Sequence, residues 1–369
     1  MAFLELKYDA FGLDINDSSI KIIKLSKNGA NFAVDSYNKI KINPGIVEAG
    51  IIKDEKALSE AIKSARKTAK GKRITTKYVV ASLPEEESFL QVIQMPKMSQ
   101  KELKSAVIFQ AENYIPLPIS EVYMDFKVIV PIKDSLDHTD VLVVATPKKV
   151  VDPYVSCIKS AGLIPIAMEV EAQSVLTAVI KNETTEFPAA IIDIGENTTD
   201  FIVFCGRSIR FTYSIPISSG QLTLAIAQDL KISPEKAEEI KIKYGIANSD
   251  KKMPAESLKA ADSQMKLLNN LVNQIKKYID FYQDHASHEH LFTPSGIKKI
   301  ILCGGGATLK GLPEFLSKEL SLPAEIGDPF ANTPLEKKSK INPADFLVFT
   351  TALGLAGRGI NIKCEDLDD

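Results

Sequence analysis

The chain has 369 residues, and its 45 lysines and arginines against 47 acids give a formal net charge of −2. A near-neutral chain has no global electrostatic grip on nucleic acid or acidic lipid, so any such contact would be a local patch. With 45% hydrophobic and 25% charged residues it reads as a folded globular protein of about two to three domains, not a disordered one.

Residues 11–25 carry the first structural signal. Two β-rich runs flank the polar stretch Asn16-Asp17-Ser18-Ser19, a hairpin pattern. A third strand is predicted over 31–40, after the Asn28-Gly29 turn. Asp54 then caps a helix with Leu58, Ile62, Ala65 and Ala69 at helical spacing, ending near Gly71. Residues 77–83 read as another strand. From 84 to 164 the texture changes. Ser99 and Glu102 form a capping box for a helix. It stops before Ile115-Pro116-Leu117-Pro118, where two prolines forbid continuation. Strands are predicted at 122–130 and 141–145. A second helix starts near Pro147 or Pro153, since either suits a first helical position, and ends at Gly162. These elements suffice for a small inserted α+β subdomain.

The second half opens at 189–205 with strand, polar turn and strand, followed by a strand over 208–215. Helices are predicted at 220–230 and 234–244, the latter capped by Ser233 with Pro234 at its first position. A long helix over 255–284 carries Leu267, Leu268, Leu271, Ile275, Ile279 and Tyr282. A strand at 298–302 runs into Cys303-Gly304-Gly305-Gly306, and a last helix at 346–357 leads to an acidic tail over 364–369. No apolar run approaches the roughly 18–20 residues of a membrane helix. Residues 1–9 lack the features of a signal peptide. Cys157, Cys205, Cys303 and Cys364 are far apart, which fits a reducing compartment and no zinc ribbon. A soluble cytoplasmic protein is the expectation.

The two halves begin alike. Leu13-Asp14-Ile15-Asn16-Asp17-Ser18-Ser19 can be laid on Ile192-Asp193-Ile194-Gly195-Glu196-Asn197-Thr198-Thr199, with one extra residue allowed. One such turn has a local explanation, because Asp and Ser favour turns. Two copies, each leading a three-strand run, indicate internal duplication. Backbone N–H groups of a tight turn form an anion site, hydroxyls add donors, and an Asp at a strand end suits a hydrated Mg²⁺. The pattern fits two hairpins gripping the β- and γ-phosphates of a nucleotide from opposite sides.

These hairpins, with the late strand–Gly-Gly-Gly turn and the helix Ala237-Glu238-Glu239-Ile240-Lys241, resemble the actin-like ATPase superfamily. Within it the chain is most similar to the PilM family of type IV pilus assembly, above all over 95–118 and 141–163. The resemblance implies an α/β, actin-like (ribonuclease H-like) fold of duplicated domains with an inserted α+β subdomain. The first domain would comprise 9–83 with about 165–188 and 350–363, and the insertion 84–164. The second would comprise 189–217 with about 296–349, and 218–295 its helical subdomain. ATP with Mg²⁺ would lie in the cleft. Its implied contacts are Asp14, Asn16, Asp17, Ser18, Ser19 and Lys21 on the first hairpin and Gly195, Asn197, Thr198 and Thr199 on the second. Gly304, Gly305 and Gly306 would meet the adenosine, and Glu238 and Lys241 the ribose. Asp14 and Asp193 would direct the metal, and Glu171 and Asp193 would be catalytic, with any hydrolysis slow and regulatory. Asn16 departs from the family's usual Gly, and Ser218-Ser219-Gly220 stands where a more Gly-rich helix start is expected.

The implied partner is the short cytoplasmic N-terminal peptide of a bitopic inner-membrane protein like PilN, taken up near 114–117. Domain closure would bias self-association, nucleic acid would not bind, and the protein would be peripheral at the inner membrane through its partners. An FtsA-like cell-division protein shares the clamp, although 361–369 is short and acidic where FtsA ends in an amphipathic helix. A sugar kinase and a non-hydrolysing nucleotide-binding scaffold of a type II secretion-like system also share it. His285, His288 and His290 read as a solvated helix end, since a zinc site wants three or four convergent ligands. The cations of 63–77 read as a solvated face, and no aromatic residues interleave with them to make a single-strand platform.

Overall fold

The computed structural model describes residues 8–130, 137–246, 255–285, 296–337 and 340–362. Among these, 8–130, 137–184 and 328–362 form one compact unit, and 185–246, 255–285 and 296–327 form a second.

The first unit is built on a six-stranded sheet. Strands Phe11–Ile15, Ser19–Asn28 and Asn31–Lys41 run as an antiparallel meander. Tyr78–Leu83 pairs parallel to Phe11–Ile15, and Ile164–Val170 pairs parallel to Tyr78–Leu83. Lys70–Gly71 forms the other edge. Strand Phe11–Ile15, inside the sheet between an antiparallel and a parallel neighbour, is buried on both faces. On one face pack helices Glu55–Lys67 and Lys148–Ser160, through Leu58, Ile62, Tyr154 and Ile158. Each such side chain contributes about 1.5–3 kcal/mol of burial. Helix Thr350–Asn361 lies on strand Phe11–Ile15 and against helix Glu171–Val179. Small residues allow this approach: a Cβ on Gly12 would fall 2.2 Å from the Ala352 carbonyl oxygen, and one on Gly354 only 1.8 Å from that of Ser174.

Between strands Tyr78–Leu83 and Ile164–Val170 the chain leaves to build a second small sheet. Strand His138–Pro147 is central, flanked antiparallel by Phe89–Pro96 and Val122–Val128. Helix Gln100–Ala111 covers it with Leu103, Val107 and Ala111, under the expected Ser99–Glu102 capping box. The following helix, Lys148–Ser160, lends its buried face to the main core of the unit, while its Asp152 accepts from the Tyr123 hydroxyl of the small sheet at 3.0 Å. Pro147 is the helix cap and Pro153 lies inside the helix, where it forgoes one backbone bond in exchange for a well-buried face.

The second unit repeats the plan. Strands Thr185–Ile194, Thr199–Gly206 and Ser208–Ile215 form the meander. Lys299–Cys303 pairs parallel to the first of these, and Ala324–Ile326 parallel to Lys299–Cys303. Helices Ser219–Leu230, Pro234–Tyr244 and Ala255–His285 stand between the meander and its fourth strand. The sheet core joins Ile192, Phe201, Leu271, Ile275 and Leu316. A satellite core joins Ile226, Ala237, Ile240 and Ala260. The segment 328–349 groups with the first unit, not with this one. His288, His290 and the 364–369 tail lie outside the described residues. Among the described residues no helix is long and apolar enough to cross a membrane.

Candidate functional site

The two hairpin turns are equal in length. Ile15 pairs with Ile20 and Ile194 with Thr199, so each turn holds four residues. Each closes with the same backbone bond, Asn16 N–H to Ser19 O at 3.1 Å and Gly195 N–H to Thr198 O at 2.9 Å. The extra residue allowed in the sequence comparison is not there. Ser19 corresponds to Thr198, and Lys21 to Asp200.

In the first hairpin Asp14 is 1% exposed and stands directly across from Lys21. Lys21 Nζ donates to Asp14 Oδ2 at 2.7 Å, and Ser82 Oγ donates to Asp14 Oδ1 at 3.3 Å. Ser82 also accepts from Ile15 N–H at 3.1 Å, locking the parallel strand to the hairpin. Asn16 Oδ1 accepts from Ser18 N–H, Ser19 N–H and both serine hydroxyls. Asp17 accepts from the N–H groups of Ala49 and Gly50 at 2.7 and 3.0 Å. The Tyr154 hydroxyl, buried beside this group, donates to Gly50 O at 2.9 Å. Burial pushes its pKa well up, and the carboxylates of Glu171, Asp17, Glu86 and Asp14 push the same way. Glu171 thus acts on the same tyrosine as Asp14 and Asp17 of the first hairpin. It opens helix Glu171–Val179, whose Ala172 N–H is taken by the buried Glu85 carboxylate at 3.3 Å.

In the second hairpin Asp193 stands across from Asp200 and beside Cys303. Ser214 Oγ donates to Asp200 at 2.5 Å. The Cys303 thiol donates to Ile192 O at 3.8 Å, and burial with the Asp193 and Asp200 charges drives its pKa well up. Gly304 has φ +78°, and a Cβ there would lie 2.1 Å from Asp193 Oδ1, so the turn demands glycine twice over. A Cβ on Gly306 would strike Ile194 at 2.3 Å. Helix Ser219–Leu230 starts against the same turn, with Ser219 N–H on Gly195 O at 3.0 Å and Gly220 N–H on Glu196 O at 3.1 Å. Lys241, 5% exposed, donates to Ser219 O, Ser219 Oγ and Thr223 Oγ1, and pairs with Glu238 at 2.7 Å.

The second unit therefore gathers Asp193, Gly195, Glu238, Lys241, Gly304 and Gly306 through direct and one-residue links. Thr199 is fully buried and donates to Ile217 O at 2.6 Å. Lys21 is likewise an internal partner of Asp14. Ile115 is buried in the inserted body's own core, while Tyr114 is 45% exposed. Sequence reasoning missed Ser82, the one polar side chain in an otherwise apolar strand. It also missed Asp200, which an ungapped alignment of the turns puts opposite Asp193.

The family described as "Type IV pilus assembly protein PilM" matches residues 12–360. The chain is similar to cell division protein FtsA of Pseudomonas aeruginosa, 25% identical over 57% of this chain and 51% of that protein. FtsA of Borreliella burgdorferi is 27% identical over 54% of this chain and 50% of that protein. The chain thus spans about half the length of these curated relatives. Among solved structures, the PilM–PilN type IV pilus biogenesis complex matches with a TM-score of 0.79 and 26% identity, over 97% of this chain and 100% of that one. MreB 5 of Spiroplasma citri bound to AMPPNP shares the fold, at 15% identity and a TM-score of 0.52 over 93% of each chain. The fold is that of the actin-like proteins, in duplicate.

Proposed function

The chain belongs to the PilM family of type IV pilus assembly proteins, and from that premise we propose that it binds ATP with Mg²⁺ and recruits the N-terminal peptide of a PilN-like membrane protein to the pilus assembly platform. The observation that carries this reading is the match to the PilM–PilN complex over essentially the whole of both chains. The two FtsA proteins named above fit the same superfamily at similar identity, and the chain spans about half of each.

The second unit's residues suit a nucleotide. Bare backbone at Gly304 and Gly306 presses on Asp193 and Ile194, leaving the turn free of side chains. Glu238 reaches partly into solvent from a helix tied to the hairpin through Lys241 and Ser219. Asp193 would direct the cation, Glu238 would hold a ribose hydroxyl, and the 195–198 turn would donate N–H groups to phosphate. Bound Mg²⁺ supplies charge neutralisation of the phosphate oxygens. Glu171, whose charge acts on Tyr154 together with those of Asp14 and Asp17, is the carboxylate we assign to orienting water for slow hydrolysis. Peripheral attachment at the inner membrane would then run through the partner.

Thermal melts of the full chain test the nucleotide. At a hundredfold excess over Kd, ATP with Mg²⁺ should stabilise by about 2.7 kcal/mol. Calorimetry with the N-terminal peptide of a PilN-like protein tests the partner, with Tyr114→Ala expected to weaken it by about tenfold. No stabilisation by any nucleotide, or no heat with the peptide, would sink the corresponding half of the reading.

A further inference from the structure

The two turns share length and closing bond but differ at their first residue, Asn16 in one and Gly195 in the other. Neither residue has a positive φ. A left-handed backbone therefore explains neither residue, and what sets the first turn apart is what its side chain does. Asn16 Oδ1 collects four donors: Ser19 N–H at 2.9 Å, Ser19 Oγ at 3.1 Å, Ser18 N–H at 3.3 Å and Ser18 Oγ at 3.4 Å. Successive N–H groups with flanking hydroxyls are the donor set of an anion nest. Here that set already converges on one oxygen.

We infer that the Asn16 carboxamide is a built-in occupant of the first hairpin's anion site, and that Asn16 thereby sets how tightly this chain holds nucleotide phosphates. The inference rests on the nucleotide reading above. The rest of the hairpin is committed in the same way. Lys21 is held on Asp14 at 2.7 Å, and Asp17 on the N–H groups of Ala49 and Gly50. A phosphate oxygen reaching this turn must displace Oδ1 and take over its donors. At Gly195 nothing needs displacing, and a Cβ would come within 2.9 Å of Thr198 O. The donors of the first hairpin are therefore already satisfied from within its own turn.

Titration calorimetry on the full chain decides this, with ATP·Mg²⁺ and with AMP, which lacks the β- and γ-phosphates. Asn16→Gly and Asn16→Ala should each tighten ATP by about tenfold, since one occupant no longer competes for the donors, and leave AMP unmoved. Asn16→Asp puts a charged oxygen at the same reach and should weaken ATP by about tenfold. If Asn16→Gly fails to fold, the Ala and Asp variants carry the test. Folded variants that bind ATP as the wild type does, or that tighten AMP equally, overturn the inference while the nucleotide reading stands. A wild type that takes no nucleotide overturns both.

Discussion

Across from the hairpin aspartate of the first unit stands Lys21, 2.7 Å from Asp14; across from that of the second stands another acid, Asp200. Beside the aspartate, on the parallel strand, the first unit has Ser82 and the second has Cys303. The sheets are otherwise built alike, a three-strand meander followed by two parallel strands added on the same side. Duplication has preserved the backbone and its hydrogen bonds, which any sequence of the right periodicity satisfies. The side chains at the turn have diverged in charge. One hairpin is neutralised and satisfied from within, and the other concentrates carboxylates under a glycine-lined turn.

The shared topology says what each unit can lose. The second unit passes from its fourth strand to its following helix without an extra sheet, so the first should tolerate losing that sheet and nothing more. Ser88 and Thr146 bring their hydroxyls within 3.0 Å, and Phe89 pairs with Ala145, so a short linker can close the gap. Excising 89–145 should leave cooperative urea unfolding intact. Excising 84–164 removes Tyr154 and Ile158 from the main core and should abolish it. Equal behaviour of the two deletions would break the correspondence between the units.

A smaller effect separates the hairpins by charge. Lys21→Met leaves Asp14 buried without its cation and should cost about 3–5 kcal/mol. Asp200→Asn keeps the shape, removes a like charge opposite Asp193 and should change stability by less than about 1 kcal/mol. Urea midpoints at neutral pH measure both. Similar losses would mean that the second hairpin is charge-balanced after all.

Much of this was legible in the sequence. Alternating β-rich runs around a polar turn, twice, identify the hairpins, and Ser99, Ser233 and Asp54 cap helices as their residue types require. Elements with weak local signals escaped: the parallel strands Ile164–Val170 and Ala324–Ile326 are held by neighbours distant in sequence. Which core helix Lys148–Ser160 joins was not legible, because its amphipathic pattern is the same for either. Asn16 was visible as a departure from glycine, but its role was not. Whether a side-chain oxygen turns inward on its own turn depends on rotamer and closure, which residue identity leaves open.

The smallest effect concerns Cys303, and it is read in the slope of stability against pH. An ordinary thiol loses its proton near pH 8.5, whereas burial, then the Asp193 and Asp200 charges, hold this one protonated well above that. Above the ordinary value the unfolded chain has released the proton and the folded chain has kept it. The unfolded state then binds fewer protons, so stability must fall as pH rises through this window. One such group contributes up to about 1.4 kcal/mol per pH unit. Cys157 and Cys205, each pushed up to about 11, add slopes of the same sign, so the test is a difference. Cys303→Ser puts into the second unit the residue type that the first unit has at Ser82, and a hydroxyl does not titrate there. The variant should be less stable at pH 7, where a buried thiol has become a hydroxyl, yet lose stability more slowly between about pH 9 and 10. Urea unfolding across that range measures the two slopes. Parallel slopes would show that Cys303 ionises no later in the folded chain than in the unfolded one, and that the acids gathered at the second hairpin do not act on it.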